Sequence, residues 1–168
     1  MIKFFGLLSN KRKIKIESAI SIYVAALNNV IENGFVEIQD FINNNNNLES
    51  NPNIKEDMIS WFSNVIFLGN IKNLENYFEE PEVVNIRKNV LDEIYKDLDE
   101  NEQHLAIERF VGYENYFNDI TKKGDPVINT MAYAIFEKYN INEYQGDLFK
   151  RKNKPNPIFY NELKNLLK

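Results

Sequence analysis

The chain has 168 residues and a formal net charge of -5, with 43% hydrophobic and 13% aromatic residues, no cysteine and one histidine. So much apolar and aromatic material excludes a disordered chain, and the length suits one domain that buries about 70% of the surface its unfolded form exposes. Without cysteine, and with His104 alone, thiol nucleophiles, disulfide frameworks and thiolate or multi-histidine zinc sites are excluded, and a Ser-His-Asp site would have to rest on that one imidazole.

Charge is unevenly placed. Residues 1–15 (MIKFFGLLSNKRKIK) hold five cations and no acid, and residues 150–168 hold six cations against Glu162, so the body at 16–149 carries -15. The beginning is apolar and then basic, the reverse of a secretory signal, and the uninterrupted apolar runs are short. The expectation is therefore a cytoplasmic protein with no transmembrane segment. Phe4, Phe5, Leu7 and Leu8 beside Lys11, Arg12 and Lys13 either dock on the body or make a weak contact with a membrane surface. Nucleic acid is not expected as a partner, because the acidic body repels phosphate and the cations at 150–154 have no aromatics between them.

Taken in chain order, Ile16, Ile20, Val24, Leu27, Ile31, Phe35, Ile38 and Ile42 recur at steps of three and four, which predicts a long helix at about 16–43 running through Asn33-Gly34. The run Asn43 to Asn47 reads as a loop extending to Pro52. Ile54, Met58, Trp61, Val65 and Leu68 form a second stripe that stops near Gly69-Asn70, with Ile71, Leu74 and Phe78 suggesting a further short helix, either joined to it or separate.

Glu80-Pro81-Glu82 opens the next helix, with proline where no N–H is needed and acids where the helix dipole favours them. Its apolar face is Val83, Ile86, Val90 and Ile94, widened by Val84, Leu91, Tyr95 and Leu98. Asp99 and Glu102 have the spacing of a capping box. The stripe that follows, Ala106, Phe110, Tyr113, Phe117 and Ile120, closes at Lys122-Lys123-Gly124, and Asp125-Pro126 opens a helix bearing Ile128, Met131, Ala132, Ile135, Phe136 and Tyr139. Residues 140–156 read as a loop, after which Asn156-Pro157 caps a last helix with Ile158, Leu163, Leu166 and Leu167. With no sustained alternation and no repeat, the chain is expected to be a single all-α domain over 1–168, an irregular bundle of six or seven helices.

No motif assigns a chemistry: there is no G-x-S-x-G, H-E-x-x-H, P-loop or dinucleotide fingerprint, and six glycines leave little for a phosphate-cradling loop. Asp97, Asp99, Asn101 and Glu108 fall at positions 1, 3, 5 and 12 of a calcium loop, but Glu102 stands where the turn wants glycine. The competing reading is a tight helix-helix turn that leaves Asp97, Asp99, Glu100 and Glu102 as an exposed acidic knuckle. His104 is four residues from both Glu100 and Glu108, without the second histidine of a dinuclear carboxylate site. Neither a metal nor a cofactor is expected.

Two classes of function remain. The first is a non-catalytic protein-binding module with a basic protein as partner, of the kind an acidic inhibitor or immunity protein presents to a toxin or nuclease. Its contact residues are Glu79, Glu80 and Glu82 with Asp97, Asp99, Glu100 and Glu102. The second is a helical ligand-binding or enzymatic domain with a pocket lined by Tyr113, Tyr116, Tyr133 and Tyr139. A structural or regulatory protein tethered through its basic ends is a further alternative.

Overall fold

The computed structural model describes residues 15–46, 48, 51–121, 124–139, 141 and 163–167. The apolar-basic segment before Lys15, Lys122-Lys123, most of the 140–156 loop and the cap at Asn156-Pro157 lie outside them. Among the described residues the chain is all-α, an irregular bundle of five α-helices, a short 3₁₀ turn at Glu56–Met58 and a terminal helical turn at 163–166. The helices are α1 (Ile16–Asn43), α2 (Ile59–Leu74), α3 (Glu80–Ile94), α4 (Glu100–Ile120) and α5 (Val127–Lys138).

The long first helix passes through Asn33-Gly34 without interruption, and Ile20, Val24, Leu27, Ile31, Phe35, Ile38 and Ile42 are all buried on one face. Gly34 is accommodated because its position faces Phe62, 3.5 Å from where a Cβ would stand. Ile16, expected on the same stripe, is 56% exposed: residues 15–18 are exposed together, ahead of the point where the other helices cover α1. An 18-residue window of α1 has a mean hydropathy of 1.2, so by length and composition this helix is apolar enough to cross a membrane, which the short runs in the sequence did not suggest. The same apolar content supplies eight buried residues to the bundle core.

Asn43 ends α1, and beyond it the described residues 44–46, 48 and 51–55 are not helical, with Leu48 and Ile54 buried against the core. Side-chain amides tie this segment down. Asn51 Nδ2 donates to the Asn43 carbonyl at 2.6 Å, and Gln39 Nε2 donates to the Ile54 carbonyl at 2.8 Å.

At the centre lies α2, against which α1, α3, α4 and α5 all pack. The stripes on either side of Gly69-Asn70 are joined: Ile71 and Leu74 belong to α2, and only Phe78 falls in the turn that follows. Buried residues occur on every side of this helix, as an apolar helix at the middle of a bundle requires. Gly69 allows a close approach of α5, because a Cβ at that position would collide with the Met131 side chain.

The next two helices, connected through 95–99, are tied together by Arg87, whose Nε and Nη2 donate to the two carboxylate oxygens of Glu114 at 2.7 and 2.5 Å. Val83, Val90 and Leu91 are the buried positions of α3, while Val84 and Leu98 lie 59% and 40% exposed, outside the face that α1 and α2 cover. The end of α4 also differs from expectation. Thr121 closes it, donating from Oγ1 to the Phe117 carbonyl at 2.7 Å, and Gly124 lies beyond, at φ +85 in the left-handed region. Pro126 occupies the N-cap position of α5 itself. In the terminal turn Leu163 is fully buried and Leu167 packs on the core, whereas Leu166 is exposed.

Candidate functional site

The seven acidic residues expected at a contact surface are all exposed. They form two groups rather than one. Glu79, Glu80 and Glu82 stand at the start of α3, and Asp97, Asp99, Glu100 and Glu102 stand beyond its end, so a 15-residue helix of about 22 Å separates them.

Part of this charge is spent on the fold. Asp99 Oδ1 accepts from the N–H groups of Asn101 and Glu102, each at 2.9 Å, and the Glu102 carboxylate accepts from the Asp99 N–H at 3.3 Å, completing the capping box. At the other end the Glu82 carboxylate accepts from the Glu79 N–H at 3.1 Å. Glu80, Asp97 and Glu100 make no such hydrogen bond, although Glu80 and Glu100 stand in the first turns of α3 and α4 where the helix dipole favours them, and among the described residues none of the seven takes part in a salt bridge. Lys96, the cation nearest the knuckle in sequence, holds Glu93 at 3.0 Å and interacts more weakly with the charge of Asp97. Hydrogen bonds from Lys96 and Ser21 keep the Glu93 carboxyl below its ordinary range.

The calcium pattern is not realised, because residues from Glu100 onward are helical and Asp99 is committed as the cap, so no twelve-residue loop exists to wrap an ion. Nor does any group of three histidine or carboxylate side chains among the described residues have the placement of a metal site, the trio Glu100, His104 and Glu108 included.

Two of the four predicted tyrosines, Tyr113 and Tyr116, meet Trp61, near the start of α2. Tyr113 meets the indole edge-on at a centroid distance of 4.8 Å and Tyr116 lies tilted at 5.7 Å, both from α4. Trp61 Nε1 donates to the Ala134 carbonyl at 3.3 Å, and Lys138 Nζ rides over the indole face at 5.0 Å from its centroid. Tyr116 donates its hydroxyl to the Glu137 carboxylate. Burial first, and then the Glu137 hydrogen bond and charge, push the Tyr116 hydroxyl well above its ordinary pKa, with Tyr133 near enough to add to the shift. Tyr139 is turned to a structural task, its buried hydroxyl donating to the Met58 carbonyl at 2.9 Å.

Sequence reasoning placed the four tyrosines on consecutive helices and Trp61 in the core, where it lies, but passed over Glu137 and Lys138. The available signal was the spacing of Tyr133 and Glu137, four apart on α5, which puts a carboxylate on the tyrosine face. No family model matches the chain, and neither a curated protein nor a solved structure matches it.

Proposed function

We propose that the protein is a non-catalytic, cytoplasmic binding module whose acidic surface caps a basic protein, in the manner of an inhibitor or immunity protein. The observation that carries this reading is the set Glu80, Asp97 and Glu100: exposed carboxylates with no salt bridge and no capping hydrogen bond among the described residues. Asp97 follows the C-terminal end of α3, where the helix dipole disfavours negative charge by about 0.3–1 kcal/mol. Charge kept at that cost is suited to steering a cationic partner, since complementary potentials accelerate encounter without any catalytic group.

The test is affinity capture from the native host, wild type against the triple variant Glu80→Lys, Asp97→Lys, Glu100→Lys, with retained proteins identified by mass spectrometry. One basic protein held by the wild type and lost by the variant is the expected result. Equal retention by both, or recovery of no basic protein, contradicts it.

A further inference from the structure

The long helix α1 carries more apolar surface than the core takes up: of its eighteen-residue window with mean hydropathy 1.2, 28% is buried within the chain. Opposite the buried stripe, Lys15, Ile22, Asn29 and Val36 recur at intervals of seven, and all four are exposed, Ile22 by 49% and Val36 by 54%. Ser18, Ala25, Asn33 and Asp40 share that face and are exposed as well. From Ser18 to Val36 the middle of the face bears no charge, with Glu32 and Glu37 to either side, although 27% of the chain is charged and the outer face of a solvated helix ordinarily carries such residues. Asn33 Nδ2 donates to Asn29 Oδ1 at 2.9 Å, so the two amides form one fixed polar group in the line. Branched apolar residues a heptad or two apart with one asparagine between them have the pattern of a helix-pairing seam, in which the asparagine sets the register.

We propose that the outer face of α1 pairs with the same face of a second copy of this chain, antiparallel, as a two-fold homodimer. The two ends of the face complement each other. Lys15 stands at the N-terminal end and Asp40 in the last turn, and among the described residues neither takes part in a salt bridge. A two-fold axis near Leu27-Asn28 brings each Lys15 to Asp40 of the other copy, and sets Val36 against the small residues Ser18 and Ala19 and Asn29 against Ala25 and Ala26. A bilayer suits this face poorly, because Asn29 and Asn33 would be stripped of water there without new partners. Since a helix of 28 residues is about 42 Å long, one helix pair buries an area at the low end for specific interfaces, and micromolar association is expected. The proposal is independent of the acidic-surface reading, because none of the seven acids of that surface lies on α1.

Sedimentation equilibrium of the full chain over a micromolar to millimolar series tests this. The wild type is compared with Val36→Glu, Lys15→Glu, Asp40→Lys and the double variant Lys15→Glu, Asp40→Lys, with circular dichroism as the check on folding. The wild type is expected to pass from monomer to dimer, and Val36→Glu, which brings a charge into the seam from an exposed position, to remain monomeric. Each single charge reversal should weaken association on the order of fivefold, and the double variant, which exchanges the two charges, should restore it. A wild type that stays monomeric throughout overturns the proposal, and if it then co-sediments with phosphatidylcholine-phosphatidylserine vesicles the face belongs to a membrane instead. A dimer that Val36→Glu leaves intact, or a double variant that associates no more tightly than the single ones, overturns it as well.

Discussion

Asn43 and Ile54 pair as two backbone residues in a ladder would: the Asn43 side-chain Nδ2 donates to the Ile54 carbonyl, and the Ile54 N–H donates to Asn43 Oδ1, both at 2.8 Å. The pairing joins the end of α1 to the loop and satisfies both polar groups of a residue whose side chain is buried. Asn43→Ala should cost about 1–3 kcal/mol, because it leaves the Ile54 N–H unsatisfied. Urea melts check this through a lower midpoint at unchanged slope. An unchanged midpoint would show that water replaces the amide freely.

Two glycines inside helices should respond to alanine with opposite signs. Gly34→Ala gains helix propensity and meets Phe62 at an ordinary contact distance of 3.5 Å, so it should stabilise by about 0.5–1 kcal/mol. Gly69→Ala drives a methyl into Met131 and should destabilise by about 1–3 kcal/mol. In the Gly69→Ala background, Met131→Ala should cost less than it does alone, which a double-mutant cycle measures directly.

The stripe of α1 predicts a contrast along one helix. Ile31→Ala removes a buried side chain and should cost about 2–5 kcal/mol, whereas Ile16→Ala, at an exposed position, should stay within about 0.5 kcal/mol. Equal losses in chemical denaturation would mean that the face of α1 has been assigned to the wrong side.

Alkaline pH should act through tyrosine. Burial pushes the hydroxyls of Tyr23, Tyr95, Tyr116 and Tyr139 above their ordinary value. The unfolded chain releases these protons from about pH 10, before the folded chain does, so stability is complete below that pH and falls as pH rises above it. Tyrosinate absorbance should therefore develop in two phases, the second together with loss of helical circular dichroism. A single reversible phase near pH 10 with the helices intact would contradict the burial of these groups.

Legibility from the sequence followed the range of the physics involved. The face from Ile20 to Ile42 was readable because neighbours cover α1 on one side, which imposes a helical period on its apolar residues. Asp99 with Glu102 was readable because a capping box is local. Continuation through Gly69 was left open by the sequence: the meaning of that glycine is set by Met131 on another helix, and a helix buried all round has no one-sided stripe to carry the eye across it. Val84, Leu98 and Leu166 show the complementary error, apolar side chains at helical spacing just beyond the area that neighbours cover. At the candidate sites, exposure of the acids was foreseen, whereas the choice of Lys96 for Glu93 and the meeting of Trp61 with Tyr113 and Lys138 depend on tertiary placement that spacing does not encode.

The most direct measurement of the central claim is the association rate of the basic partner with wild type and with the Glu80→Lys, Asp97→Lys, Glu100→Lys variant, followed by stopped flow across a series of salt concentrations. The account predicts that the wild-type rate falls steeply as salt screens the attraction, while the variant associates slowly with little dependence on salt. Identical rates and identical salt slopes for the two proteins would contradict it.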